Sequence, residues 1–134
     1  MKKLLCFFLC LIINLETVHG QSYCVMSDAD NTVIEEKDMH KVQSVASISK
    51  VMTAILALEK GDLNATWKTG KELKQAYGSM IYLKEGQQVS LRSLLYGLML
   101  RSGNDAALEI ALHIGKTQKK FVQMMNEKAK ELGC

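Results

Sequence analysis

The stretch that decides the fold is Val45-Ala46-Ser47-Ile48-Ser49-Lys50-Val51-Met52-Thr53-Ala54-Ile55-Leu56-Ala57-Leu58-Glu59-Lys60-Gly61. Ile48, Val51, Met52, Ile55, Leu56 and Leu58 recur at helical spacing and Gly61 supplies a stop, which predicts an amphipathic helix facing a core. Packing alone does not account for Ser47 followed three residues later by Lys50. On a helix these positions share a face, about 4.5 Å apart along the axis, so the ammonium of Lys50 can reach the hydroxyl of Ser47. A serine hydroxyl becomes a good nucleophile when a neighbouring base takes its proton, and a desolvated lysine can do that. The N–H groups and dipole at the helix start suit a developing oxyanion. Ser-x-x-Lys alone is nevertheless a loose pattern, most often a capping serine beside a solvated lysine. It acquires meaning only with a second site.

Around this helix the chain has the composition of one globular domain: 134 residues, 48% hydrophobic and 23% charged. The net charge of +3 is dispersed, with no block of like charges, which argues against a nucleic-acid binder. Proline is absent, which favours a helical body. Residues 1–20 read differently. Lys2-Lys3 and the apolar run Leu4 to Ile13, with Val18-His19-Gly20 before a cut at Gln21, read as a secretory leader too short to span a membrane, with an uncleaved N-terminal anchor as the alternative. The body, residues 21–134, is therefore expected outside the cytoplasm. Cys6 and Cys10 leave with the leader, and Cys24 and Cys134 read as two small buried hydrophobes, although an exported chain permits their pairing.

Ser22 to Ser27 and Thr32 to Glu36 flank an Asp/Asn turn and predict a hairpin, its first strand apolar on both faces as if covered on both sides. Asp62 to Gln88 has no sustained period. Ser90 looks like the cap of a helix over Leu91–Leu100 that is apolar nearly all round and so expected in the centre of a helical layer. Another helix runs from Ala106 to Ile114, and Thr117 caps a last one through Phe121, Met124, Met125, Ala129 and Leu132. Met99, Met124 and Met125 read as core filler. His40, His113, Glu35 and Glu36 have no partner at a recognisable spacing and read as surface residues.

The second site is Ser102-Gly103-Asn104, a polar turn between two apolar helices, 55 residues beyond Ser47. A turn of this kind is often only a helix cap. Ser-x-x-Lys and Ser-x-Asn together in an exported chain are far more specific. The chain resembles the low-molecular-mass penicillin-binding proteins, the serine-type D-alanyl-D-alanine carboxypeptidases. The likeness lies in Ala46–Thr53, in Met80–Gly86, in Leu94–Met99 with Ser102–Ala107, and in Met125–Ala129 with Leu132-Gly133.

The resemblance implies an α+β, β-lactamase/transpeptidase-like fold: an N-terminal hairpin plus a helical region, with the C-terminal sheet strands missing from residues 21–134. In the family a Lys-Thr-Gly follows Ser-x-Asn on a strand walling the cleft. Lys68-Thr69-Gly70 precedes it, in a polar stretch that does not read as a strand, and is a chance match. The resemblance also implies a role for each site residue. Ser47 would attack the penultimate D-alanine carbonyl of a peptidoglycan stem peptide, with Lys50 as its base. Ser102 would relay a proton to the leaving amine, and Asn104 would hold the substrate amide and Lys50. No metal or organic cofactor is implied. β-Lactam antibiotics would be covalent inhibitors, and membrane attachment would come only through a segment beyond residue 134. Two alternatives accompany this reading: a serine β-lactamase, which shares Ser-x-x-Lys, and a non-catalytic fragment whose sheet edges stay open.

Overall fold

The computed structural model describes residues 22–134, so the expected leader and its Cys6 and Cys10 lie outside the described residues. Contacts divide the chain into two units, Met1–Ser44 and Val45–Cys134. In the first, β1 (Tyr23–Met26) and β2 (Val33–Lys37) form the expected antiparallel hairpin, with Val25 opposite Glu35 and a register shift between Val25 and Met26. Asp30 organises the turn by accepting from the backbone and hydroxyl of Thr32. All residues of both strands are exposed, including the four of β1 expected to be covered. A two-stranded ribbon buries only what each strand offers the other.

The second unit opens with a 3₁₀ turn, Ala46–Ile48, that runs directly into α1 (Ser49–Lys60). The turn is tied off by the Ser49 hydroxyl donating to the Ala46 carbonyl at 2.9 Å. The predicted apolar stripe is only partly the buried one. Thr53, Ala54, Leu56 and Ala57 are buried, whereas Ile48, Val51 and Leu58 are exposed. Alanines at 54 and 57 let neighbouring helices approach closely, and that shifts the contact face away from the larger side chains. Gly61 ends the helix where a Cβ would collide with the Leu91 side chain and the Ala57 carbonyl.

β3 (Thr66–Lys68) and β4 (Gln88–Ser90) pair antiparallel, Trp67 opposite Val89. Ser90 then caps α2 (Leu91–Arg101) in a reciprocal box with Ser93: each hydroxyl accepts the other's backbone N–H, at 3.1 and 3.0 Å. α3 (Asn104–Gly115) follows after a two-residue turn. α4 (Gln118–Glu131) is capped by Thr117, whose hydroxyl accepts from the Lys120 N–H at 3.1 Å.

α1 packs against α2, α3 and α4, and α3 also packs against α2 and α4. Leu56, Leu91, Leu94, Leu98 and Ile110 are the largest fully buried side chains of this core. α2 is not apolar to the core all round. It buries Leu91, Leu94 and Leu98 on one face and exposes Tyr96, Met99 and Leu100 on the other. Met124 and Met125 do pack on the core, but Met99 is 52% exposed and fills nothing. Leu94→Ala is expected to cost about 2–5 kcal/mol in chemical denaturation, the sum of lost transfer energy and an unfilled cavity. A cost below about 1 kcal/mol would show that this layer is not the stabilising core.

Candidate active site

Ser47 sits in the 3₁₀ turn, just after Ala46, whose φ of 45° is unusual for a residue with a Cβ. The turn leaves Ser47 exposed, while Lys50, one turn into α1, is half-buried. Ser102 enters from the end of α2, where it adopts the left-handed conformation (φ 54°, ψ 35°). This cap directs the serine back at Lys50. The Lys50 ammonium donates to the Ser102 carbonyl at 2.6 Å and to the Ser102 Oγ at 2.8 Å. The Ser102 hydroxyl in turn donates to the Ser47 Oγ at 3.0 Å. Thus the two motifs, 55 residues apart, meet in one hydrogen-bonded chain. The direct Lys50–Ser47 contact expected from helical spacing is not among the hydrogen bonds of the described residues. Ser102 bridges the pair instead. Burial holds the Lys50 amine below the ordinary lysine pKa, as a basic role requires.

Asn104 opens α3 and is held by the stretch before β4. Its Nδ2 donates to the Tyr77 carbonyl, and its backbone N–H donates to the Ser79 carbonyl at 2.7 Å. It makes no hydrogen bond to Lys50 among the described residues, so the expected second duty of Asn104 is carried by the Ser102 carbonyl. Glycines make this approach feasible. A Cβ on Gly78 (φ +81°) would lie 3.1 Å from Asn104 Nδ2, and one on Gly97 would lie 2.6 Å from Ile81 Cδ1. An open groove of about 460 Å³, lined by Ser79, Met80, Tyr82, Met99, Arg101 and Ser102 among others, adjoins the serine.

Two residues to which the sequence alone assigns no role tie neighbouring segments to α3. Asp105 and Glu109 stand one helical turn apart on α3 and are 2% and 3% exposed. Asp105 accepts from the N–H groups of Ile81 and Leu83, both at 3.0 Å, and from that of Ala106 at 2.9 Å. Glu109 accepts from Trp67 Nε1 at 3.0 Å and from the Gly70 N–H at 3.3 Å. The available signal was two carboxylates on the face of an otherwise apolar helix, which must find partners once buried.

Elsewhere the structure departs from the sequence-based expectations. Lys68 does lie in a strand, β3, paired to Gln88 of β4. Thr69 is buried, its hydroxyl donating to the Lys84 carbonyl and accepting from the Gln87 N–H, so its polar atoms serve a local turn. His113 is not a surface residue: its ring is half-buried and stacks on Trp67 with centroids 3.8 Å apart, and burial pushes its pKa down. His40, Glu35 and Glu36 are exposed as expected. Cys24 and Cys134 are exposed free thiols rather than buried hydrophobes, because neither a two-stranded ribbon nor a chain terminus supplies a core.

A serine bridged through a second hydroxyl to a desolvated amine can undergo deprotonation and acyl transfer. Known proteins resemble this chain in fold and sequence. The D-alanyl-D-alanine carboxypeptidase of Mycobacterium tuberculosis H37Rv has a solved structure with a TM-score of 0.80 at 36% identity, covering 84% of this chain and 42% of that one. A point mutant of the Streptomyces K15 DD-transpeptidase gives 0.80 at 32%, covering 88% and 51%. The class is therefore the α+β, transpeptidase/β-lactamase-like fold. The model of the D-alanyl-D-alanine carboxypeptidase family matches residues 12–134, and the chain belongs to that family. D-alanyl-D-alanine carboxypeptidase DacF of Bacillus subtilis is 34% identical over 124 residues, which are 88% of this chain and 32% of the relative. The chain thus spans about a third of the length of that curated relative.

Proposed function

We propose that the protein is a serine-type D-alanyl-D-alanine carboxypeptidase that removes the terminal D-alanine from peptidoglycan stem peptides through an acyl-enzyme on Ser47. The observation that carries this reading is the chain Lys50 Nζ–Ser102 Oγ–Ser47 Oγ, with links of 2.8 and 3.0 Å. With Lys50 protonated, each donor in this chain points toward Ser47. With Lys50 neutral, the chain reverses: Ser47 gives its proton to Ser102 as Ser102 gives its own to Lys50. The Ser47 Oγ then bonds to the penultimate carbonyl carbon. As the C–N bond breaks, the leaving D-alanine amine takes a proton returned from Lys50 through Ser102. Water hydrolyses the ester and regenerates the serine. Asn104, at the head of α3, is the residue for the substrate amide.

Export by residues 1–20 and action on the outer side of the membrane belong to the same reading, as does covalent inhibition by β-lactams. Incubating the full-length protein with a peptide ending in D-Ala-D-Ala should release D-alanine, and Ser47→Ala should abolish the release. Turnover in Ser47→Ala equal to wild type would refute the acyl-enzyme.

A further inference from the structure

Asp105 lies next to Asn104, is almost fully buried, and makes no hydrogen bond to any of the three residues of the proton chain among the described residues. It pairs with no lysine or arginine among the described residues. A buried carboxylate of that kind is costly unless its hydrogen bonds are complete, so what it binds is informative. It binds the backbone of a strap, residues 77–83, at Ile81 and Leu83. The other end of the strap grips Asn104, Tyr77 through the side-chain amide and Ser79 through the backbone. The loop of contacts is closed: Asp105 holds the strap, and the strap holds the residue preceding Asp105. Ile81 also seats the strap where Gly97 and Gly103 have no Cβ, on the end of α2 that presents Ser102.

We propose that Asp105 is a positioning residue for Asn104: by fixing the 77–83 strap it sets the orientation of the Asn104 carboxamide toward the substrate amide. The inference rests on the function proposed above for the role of Asn104 and for the identity of that substrate. Its first test is independent of turnover. In ¹H–¹⁵N NMR spectra of the unliganded full chain, the Asn104 side-chain amide protons of Asp105→Asn should exchange with water about tenfold faster or more than in wild type, since an asparagine offers one acceptor oxygen where the carboxylate uses two. Unchanged exchange in a folded variant overturns the proposal. If Asp105→Asn does not fold, wild type decides. The Ile81 N–H, the Leu83 N–H and the Asn104 amide should open as one unit, and an Asn104 amide exchanging more than about tenfold away from the other two overturns it.

The second test separates positioning from general destabilisation. Benzylpenicillin carries a side-chain amide for Asn104 to hold, and 6-aminopenicillanic acid lacks it. Asp105→Asn should lose on the order of 10²-fold in acylation by the first and about tenfold less by the second. Equal losses would mark Asp105 as merely structural and overturn the inference. Failure of both compounds to acylate wild type would count against the proposed function, and the exchange experiment would still judge Asp105.

Discussion

Lys50→Arg is expected to slow acylation of Ser47 by about 10²- to 10⁴-fold, the usual contribution of a positioned base. Arginine keeps the charge but cannot give up its proton near neutrality, and its planar fork does not fit the two close acceptors on Ser102 as a compact ammonium does. The pH profile makes the prediction sharper. In the proposed mechanism acylation needs the neutral amine, so the wild-type rate should climb as pH rises toward the Lys50 pKa and level off above it. Burial lowers that pKa, so the midpoint of the limb should lie below the ordinary lysine value of about 10.4. Lys50→Arg should lack this limb altogether. A rate within about tenfold of wild type, with the limb intact, would exclude Lys50 as the base.

Ser102→Ala is the second large effect and separates two duties that one residue carries. The Lys50 ammonium keeps its 2.6 Å bond to the residue 102 carbonyl, so the lysine stays in place while the hydroxyl bridge to Ser47 disappears. Acylation should fall on the order of 10²-fold or more, because no other hydroxyl links the pair among the described residues. Ser102→Gly provides the control. Glycine adopts φ near 54° without penalty and should be more stable than Ser102→Ala, yet equally slow. Recovery of the rate in Ser102→Gly would assign the Ser102→Ala loss to backbone strain and remove the relay.

What could be read in the sequence was local. Ser90 and Thr117 announce helix starts because their caps close within three residues, and Ser47 and Lys50 are legible because i, i+3 spacing places them on one side of a turn. The pairing of Ser102 with them required the second motif, since nothing local foretells a contact across 55 residues. The bridging geometry was not legible, because it depends on the left-handed cap at Ser102. Nor was the strap: Asp105 meets Ile81 and Leu83 at separations of 24 and 22 residues, and Glu109 meets Trp67 at 42. Periodicity misjudged α1 and α2 for a related reason. Hydrophobicity marks which residues could be buried, whereas close helix approach selected Ala54 and Ala57 and left Ile48, Leu58 and Leu100 exposed.

The central claim is that Ser47 is the nucleophile. Benzylpenicillin should be reacted with the full-length protein and with Ser47→Ala, followed by proteolysis and mass-spectrometric location of the penicilloyl adduct. The account predicts one adduct, on Ser47 in wild type, and none in a folded Ser47→Ala. An adduct on Ser102 or elsewhere, or labelling undiminished in Ser47→Ala, would contradict it.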